Sequence, residues 1–191
     1  MSTHGWWRLI IDAGNSASVC IVARAQRLKK MAEKKNVKMR KFERADLAEV
    51  KNLIDQTIGA CYRGVYCAEA VQFFKDWHCI DRILADAEEG YTVVAKQGGQ
   101  VIGTGTIVGN EIKRVFVDPA FQNRGLGRLI MRELEGRAIL MGIGVVNLDA
   151  SLPSKKFYDS LGYITLEKTF REVENNKRLD FYRMEKTLIN K

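Results

Sequence analysis

The sequence predicts a single α/β domain of the α+β kind, with about six to seven strands and about four helices. Three observations carry this. A β-rich run, Ile112 to Val117, enters a loop holding Gly125 and Gly127, and a helical pattern leaves it. Before that loop, three apolar runs are separated by strong turn signals, as in a meander of antiparallel strands. Ahead of the meander, a short strand pattern is followed by two helical stripes.

In order, Val37 to Phe42 reads as the first strand, with apolar and polar residues alternating. Arg44-Ala45-Asp46 opens a helix whose stripe is Leu47, Val50, Leu53, Ile54 and Ile58, and Gly59 is expected to stop it. A second helix is expected over Cys67 to Ala87, carrying Val71, Phe74, Trp77, Ile80, Ile83 and Leu84, with His78 inside it. Tyr91 to Ala95 and Val101 to Val108 form a hairpin around Gly98-Gly99, and Gly109-Asn110 turns the chain into Glu111 to Val117. After the glycine loop, Leu126, Leu129, Ile130, Leu134, Ala138 and Met141 recur at helical spacing, and Gly142 suits the position just past the helix end. Val145 to Asp149 is a short buried strand. Pro153 begins another helix, where a missing N–H costs little, and Gly162 ends it. Ile164 to Arg171 and Leu179 to Leu188 pair across the polar turn 174–177.

Composition bounds the function. The chain has 191 residues and 46% hydrophobic content, ordinary for one globular domain with an extension. No apolar run reaches the length of a membrane span, so no membrane partner is expected. Two histidines, His4 and His78, argue against a histidine-rich metal site or a histidine triad, and no metal is expected. Cys20, Cys61, Cys67 and Cys79 lack metal-ligand spacing and read as reduced thiols in a cytoplasm. Of the net charge of +8, residues 1–36 carry +5, from seven Lys/Arg and two acids. The remaining 155 residues carry +3, which lends little support to nucleic-acid binding. Residues 1–36 are therefore set apart as a basic N-terminal extension, disordered or non-native, from a domain over residues 37–191. Deleting residues 1–30 is expected to leave stability and activity nearly unchanged; a large loss of either refutes the division.

The glycine loop is where chemistry is expected. Glycines allow positive φ and close approach of a ligand. The start of a helix offers unpaired N–H groups and the positive end of a dipole. Together, with Arg124 and Arg128 bracketing the glycines, they suit an anion, most often phosphate. A P-loop is excluded because no Gly-Lys-Ser/Thr ending is present. Gly103-Thr104-Gly105 is no dinucleotide fingerprint, since Val108 stands where a third glycine is needed.

The run Gln122-Asn123-Arg124-Gly125-Leu126-Gly127 resembles the acetyl-CoA signature of the GNAT superfamily of N-acetyltransferases, Gln/Arg-x-x-Gly-x-Gly/Ala. The family's common Val-x-Pro precedes it as Val117-Asp118-Pro119. The segment Lys156-Phe157-Tyr158 … Gly162-Tyr163 resembles the family's second signature. The resemblance spans residues 37–188. It implies a mixed, mostly antiparallel central sheet flanked by helices, and direct transfer of acetyl from acetyl-CoA to a primary amine.

By this resemblance, backbone amides of residues 124–128 (Arg124, Gly125, Leu126, Gly127, Arg128), with Gln122 and Asn123, bind the coenzyme A pyrophosphate. A backbone N–H near Phe116 and Val117 polarises the thioester, and Asn147 and Ser151 lie near the pantetheine arm. Ser151 stands where many relatives carry asparagine. Tyr158 matches the family's tyrosine acid, which protonates the leaving thiolate. Glu111, eleven residues before Gln122, matches the catalytic glutamate of histone-acetyltransferase members; the alternative is a solvated carboxylate beside the 109–110 turn. Tyr62, Arg63, Tyr66 and Trp77 are candidates for acceptor contact, with core packing as the alternative for each aromatic. The acceptor is a small metabolite or a protein amine, and a homodimer is open. A rival reading keeps the fold without catalysis, as an acyl-CoA-binding regulatory module. A third, nucleic-acid binding by the basic arm, predicts a steep salt dependence that vanishes when residues 1–36 are removed.

Overall fold

Seven strands and five helices make up residues 37–188, the part of the chain that this computed structural model describes. The basic extension over residues 1–36 lies outside them. The strands are β1 (Lys38–Lys41), β2 (Tyr91–Gln97), β3 (Gln100–Val108), β4 (Glu111–Val117), β5 (Val145–Ser151), β6 (Ile164–Val173) and β7 (Lys177–Thr187). The helices are α1 (Leu47–Cys61), α2 (Ala68–Trp77), α3 (Ile80–Glu89), α4 (Leu126–Leu140) and α5 (Lys155–Asp159). The sheet order is β1-β2-β3-β4-β5-β7-β6, and only the β4–β5 pairing is parallel. The expected mixed, mostly antiparallel sheet is therefore present. No helix among the described residues is long and apolar enough to cross a membrane.

The two faces of the sheet are covered by different helices, and strand alternation decides which. On one face, Val50, Leu53, Ile54 and Ile58 of α1 pack with Ile83 of α3, Val94 of β2 and Phe116 of β4. On the other, α4 sits close because β3 offers Gly103 and Gly105 beneath it. A Cβ at Gly105 would come within 2.6 Å of Ile130 and 2.9 Å of Leu134. Farther along, Ala70 of α2 packs on Leu179 and Phe181 of β7.

Two helix boundaries differ from the sequence expectation. The first helix runs through Gly59 to Cys61, because the packing of Ile54 and Ile58 on the sheet outweighs the roughly 1 kcal/mol cost of an interior glycine. The long second helix is broken into α2 and α3. His78 leaves the helical region (φ −97°, ψ 41°) and Cys79 is extended, although the apolar spacing continues across the break. The break turns the His78 side chain into the interior, where it stands edge-on to Phe116 at 5.2 Å. Periodicity cannot see this, since both pieces keep the same stripe.

Strand β4 carries a bulge. Thr106 pairs with Lys113 and Thr104 with Phe116, so Arg114 and Val115 stand opposite Gly105 alone. Arg114 takes φ +55°, in the left-handed region, and its buried guanidinium is ion-paired with Asp86 of α3. Lys113 reaches the same carboxylate at 3.7 Å.

Candidate functional site

The glycine loop forms as a strand-to-helix turn with the first amides of the helix uncapped. Pro119–Phe121 makes one 3-10 turn, capped by Asp118, whose Oδ1 accepts from the Ala120 N–H at 2.8 Å. Asn123 (φ 58°) and Gly125 (φ 84°) are both left-handed, and α4 begins at Leu126 with no side chain capping it. The first-turn amides of Leu126, Gly127 and Arg128 thus keep their donors for another partner.

The loop's side chains serve it in different ways. Gln122 turns inward: its Nε2 donates to the Val117 carbonyl at 3.0 Å and lies 3.5 Å from the Cys61 sulfur, which fastens the loop to the end of α1. Leu126 is buried in the core. Gly127 is covered by Phe157 of α5, so that a Cβ there would meet the ring at 3.0 Å. Arg124 lies over the Phe121 ring at 5.3 Å. Arg128 donates to the Ser160 carbonyl at 3.3 Å and to its hydroxyl at 2.9 Å, tying α4 to the end of α5.

Beside the loop, the sheet opens. Strands β4 and β5 pair at Glu111 and Asn147 only, supported by the Asn147 N–H donating to the Asn110 carbonyl at 2.9 Å. On its other edge β5 pairs with β7 along its whole length, so it stays in the sheet while it parts from β4. Alternate backbone groups of β4 on the β5 side have no ladder partner there, and the strands part around a cleft.

The cleft has two lobes. The first, of about 290 Å³, lies against the glycine loop and is lined by Val117, Gln122, Asn123, Gly127 and Phe157 among others. The second, of about 220 Å³, lies under α2 and is reached by Trp77, His78, Glu111, Asp149 and Arg171. Tyr62, Val115, Phe116, Ser151, Ser154 and Tyr158 line both, so the lobes meet at these residues.

Of the meeting residues, Tyr158 is distinctive. It is buried, packed edge-on to Phe157 and Tyr163, and its hydroxyl has no hydrogen-bond partner among the described residues. Burial, with the Tyr62 phenol nearby, pushes its pKa well above the usual tyrosine value. At neutral pH it is a protonated donor facing the cleft. Tyr62 is also raised, to about 12, by burial, against the opposing effect of a hydrogen bond with Ser151. The Ser151 hydroxyl also bonds that of Ser154 at 2.8 Å.

Glu111 lines the second lobe at the joined end of β4 and β5, with its carboxylate 2.9 Å from the Lys113 ammonium. Asn147 stands opposite it at the joined end and lines neither lobe. Among the acceptor candidates, Tyr62 and Trp77 reach the second lobe. Arg63 is exposed and lines neither, and the Tyr66 hydroxyl is bonded to the Asp180 carbonyl (2.8 Å) and the Leu152 N–H (2.7 Å), joining β7 to the start of the α5 turn.

Three residues in the second lobe had no role in the sequence reading. His78 is only 8% exposed and its Nδ1 has no partner; burial, then the positive charges of Arg114, Lys51 and Arg82, lower its pKa to about 3, so it is neutral at any working pH. The Asp149 side chain is 49% exposed; desolvation of its covered part raises its pKa, with Arg183 opposing and Glu111 adding to the rise. Arg171 stacks on Trp77 at 4.5 Å. The only sequence signal was an aspartate interrupting an apolar strand, and that is equally the pattern of a solvent-facing position.

Comparison with known proteins bears on this geometry. Residues 61–188 match the family model described as the acetyltransferase (GNAT) domain. Among solved structures, a GCN5-related N-acetyltransferase from Rhodopseudomonas palustris superposes with a TM-score of 0.73 at 20% identity, covering 78% of this chain and 94% of that one. The PaiA N-acetyltransferase from Thermoplasma acidophilum, in complex with coenzyme A, gives 0.61 at 17%, covering 79% and 98%. YncA from Salmonella typhimurium, with its cofactor acetyl-CoA, gives 0.63 at 20%, covering 82% and 96%. No curated protein sequence matches the chain.

Proposed function

The chain belongs to the GNAT acetyltransferase family, and from that premise we propose that it transfers acetyl from acetyl-CoA to a primary amine by direct attack within a ternary complex. The observation that carries this is the parting of β4 and β5 beside the uncapped start of α4, with the unpartnered Tyr158 hydroxyl where the two lobes meet. In this reading the first lobe takes the coenzyme, with its pyrophosphate on the amides of residues 124–128, and the second takes the acceptor. Residues 37–191 form the catalytic domain.

The chain's own groups divide the chemistry. The amine nitrogen attacks the thioester carbon, the C–N bond forms and the C–S bond breaks. A backbone N–H of β4 near Phe116 and Val117 donates to the developing oxyanion; the bulge at Arg114 and Val115 sets the direction of the groups that follow it. Tyr158 donates its proton to the leaving thiolate. The proton lost by the amine passes through water toward Glu111.

The first test is thermal unfolding with acetyl-CoA. A ligand at 100 times its Kd stabilises by about 2.7 kcal/mol, a rise of roughly 5–10 °C for a chain of this size. Thiol release against a panel of amines then reports transfer. No stabilisation by any acyl-CoA would sink the proposal, while stabilisation without turnover would leave only an acyl-CoA-binding module. For the base, Glu111→Gln is expected to lower kcat by about tenfold or more and to shift the limb of the pH–rate profile that rises toward alkaline pH. An unchanged profile would remove Glu111 from that role.

A further inference from the structure

The second lobe is polarised from end to end. At one end stand two carboxylates: Glu111, paired with Lys113 at 2.9 Å, and Asp149, 4.0 Å from Arg183 Nε. Glu111 is level with Asn147 across the joined strands, and Asp149 lies two residues farther along β5, on the same face as Asn147. At the other end is Arg171 of β6, separated from β5 by the width of β7. Its guanidinium is held by aromatic rings, 4.5 Å from the Trp77 centroid and 5.8 Å from that of Phe73. It has no carboxylate within 4 Å among the described residues, although its charge reaches Asp149. Such stacking fixes a guanidinium in place while leaving its donor edge for a ligand.

Between these groups the wall is largely apolar, with Phe74, Phe116 and Phe181, and holds the Asp86-paired Arg114 and the Ser151 and Ser154 hydroxyls. The buried, neutral His78, with its unpartnered Nδ1, also lines this lobe, beside the rings of Tyr62, Trp77 and Tyr158. Size matters as well. A cavity of about 150 Å³ takes benzene, so the 220 Å³ here has room for an acceptor of roughly nine non-hydrogen atoms.

Resting on the acetyltransferase reading above, we infer that the acceptor is a small zwitterion, a primary amine that also bears a carboxylate or phosphate. Its amine lies toward Glu111 and Asp149, and its anion is bound by Arg171 against Trp77. An amine without an anion would leave Arg171 unused, and a purely anionic molecule would meet two carboxylates. The polarity of the lobe thus selects both the substrate and its orientation, with the nitrogen toward the cleft and the anion toward the α2 side.

Matched acceptors test this: amino acids against their carboxamides, and phosphorylated amino alcohols against the free amino alcohols. The anionic member of at least one series is expected to exceed its neutral partner by tenfold or more in kcat/KM, and the series that does so identifies the anion. Arg171→Gln should bring that ratio to within about twofold while leaving the KM for acetyl-CoA unchanged; Arg171→Lys, which keeps the charge, should retain part of it. Neutral analogues used equally well in both series, or a ratio that survives Arg171→Gln, would overturn the inference. Should acetyl-CoA bind with no amine acetylated, the acetyltransferase reading fails first. Thermal shifts of the coenzyme A-saturated protein with the same zwitterions then decide the inference separately: a shift lost in Arg171→Gln supports it, and no shift in the unsubstituted protein refutes it.

Discussion

Tyr158→Phe is expected to lower kcat by about a hundredfold or more, with the acetyl-CoA KM within about twofold of the starting value. Positioned general acids contribute typically 10²–10⁴ to rate. The substitution removes one oxygen and keeps the ring that packs on Phe157 and Tyr163. Because the hydroxyl bonds to no described residue, its loss strands no buried donor or acceptor, and the melting temperature should hold. A loss confined to kcat therefore separates proton donation from packing. An unchanged kcat removes the role, whereas a raised KM with kcat intact would make Tyr158 part of the coenzyme's binding surface alone.

Asp46→Asn is expected to cost about 2 kcal/mol of stability at neutral pH, and the cost should shrink in acid. Asp46 is 1% exposed at the opening of α1. Its two oxygens take four hydrogen bonds: from Arg40 Nη1 (2.7 Å) and Nη2 (2.8 Å), the Glu43 N–H (2.9 Å) and Lys96 Nζ (3.1 Å). One carboxylate thus joins β1, α1 and β2. Burial by itself would push its pKa up; the Arg40 guanidinium, the Glu43 amide and Lys96 outweigh it and hold the group at about 2, against an ordinary 3.8. The folded pKa is depressed, so the stabilisation is fully present above about pH 4 and is lost as pH falls toward 2. The shift corresponds to about 2 kcal/mol, of which roughly half should be gone by pH 3. Denaturant unfolding of both proteins at pH 7 and pH 3 measures this. Equal stability at pH 7, or a difference that does not change with pH, would contradict it.

How much of this was legible depended on whether a feature is local. The turn at residues 122–127 could be read directly, because a left-handed residue and an open helix start need only the adjacent sequence, and Gly125 supplies it. The hairpins likewise announce themselves in Gly98-Gly99 and Gly109-Asn110. Tyr158 and the glycine loop could be matched as ordered motifs of one family. The break between α2 and α3 was not legible, because His78 and Cys79 interrupt the helix without interrupting its apolar spacing. Nor was the β4 bulge: it is a mismatch between Gly105 and two residues of another strand, invisible along either strand alone.

The second lobe shows the division most clearly. Tyr62 and Trp77 reach it while Tyr66, four residues from Tyr62, spends its hydroxyl on Asp180 and Leu152. Aromatic residues in one connection look alike in sequence, and only the position of β7 separates them. By itself the sequence determined the order of the strands, the strand-to-helix glycine turn and the family, because these rest on backbone propensity and short-range spacing. The tertiary structure alone decided that Glu111, Asp149 and Arg171, drawn from three strands, would face one cavity. Their nearness depends on β4 and β5 parting after a single pair while β5 stays paired with β7 on its other edge, and no residue's own neighbours in the chain record where a strand finds its partner.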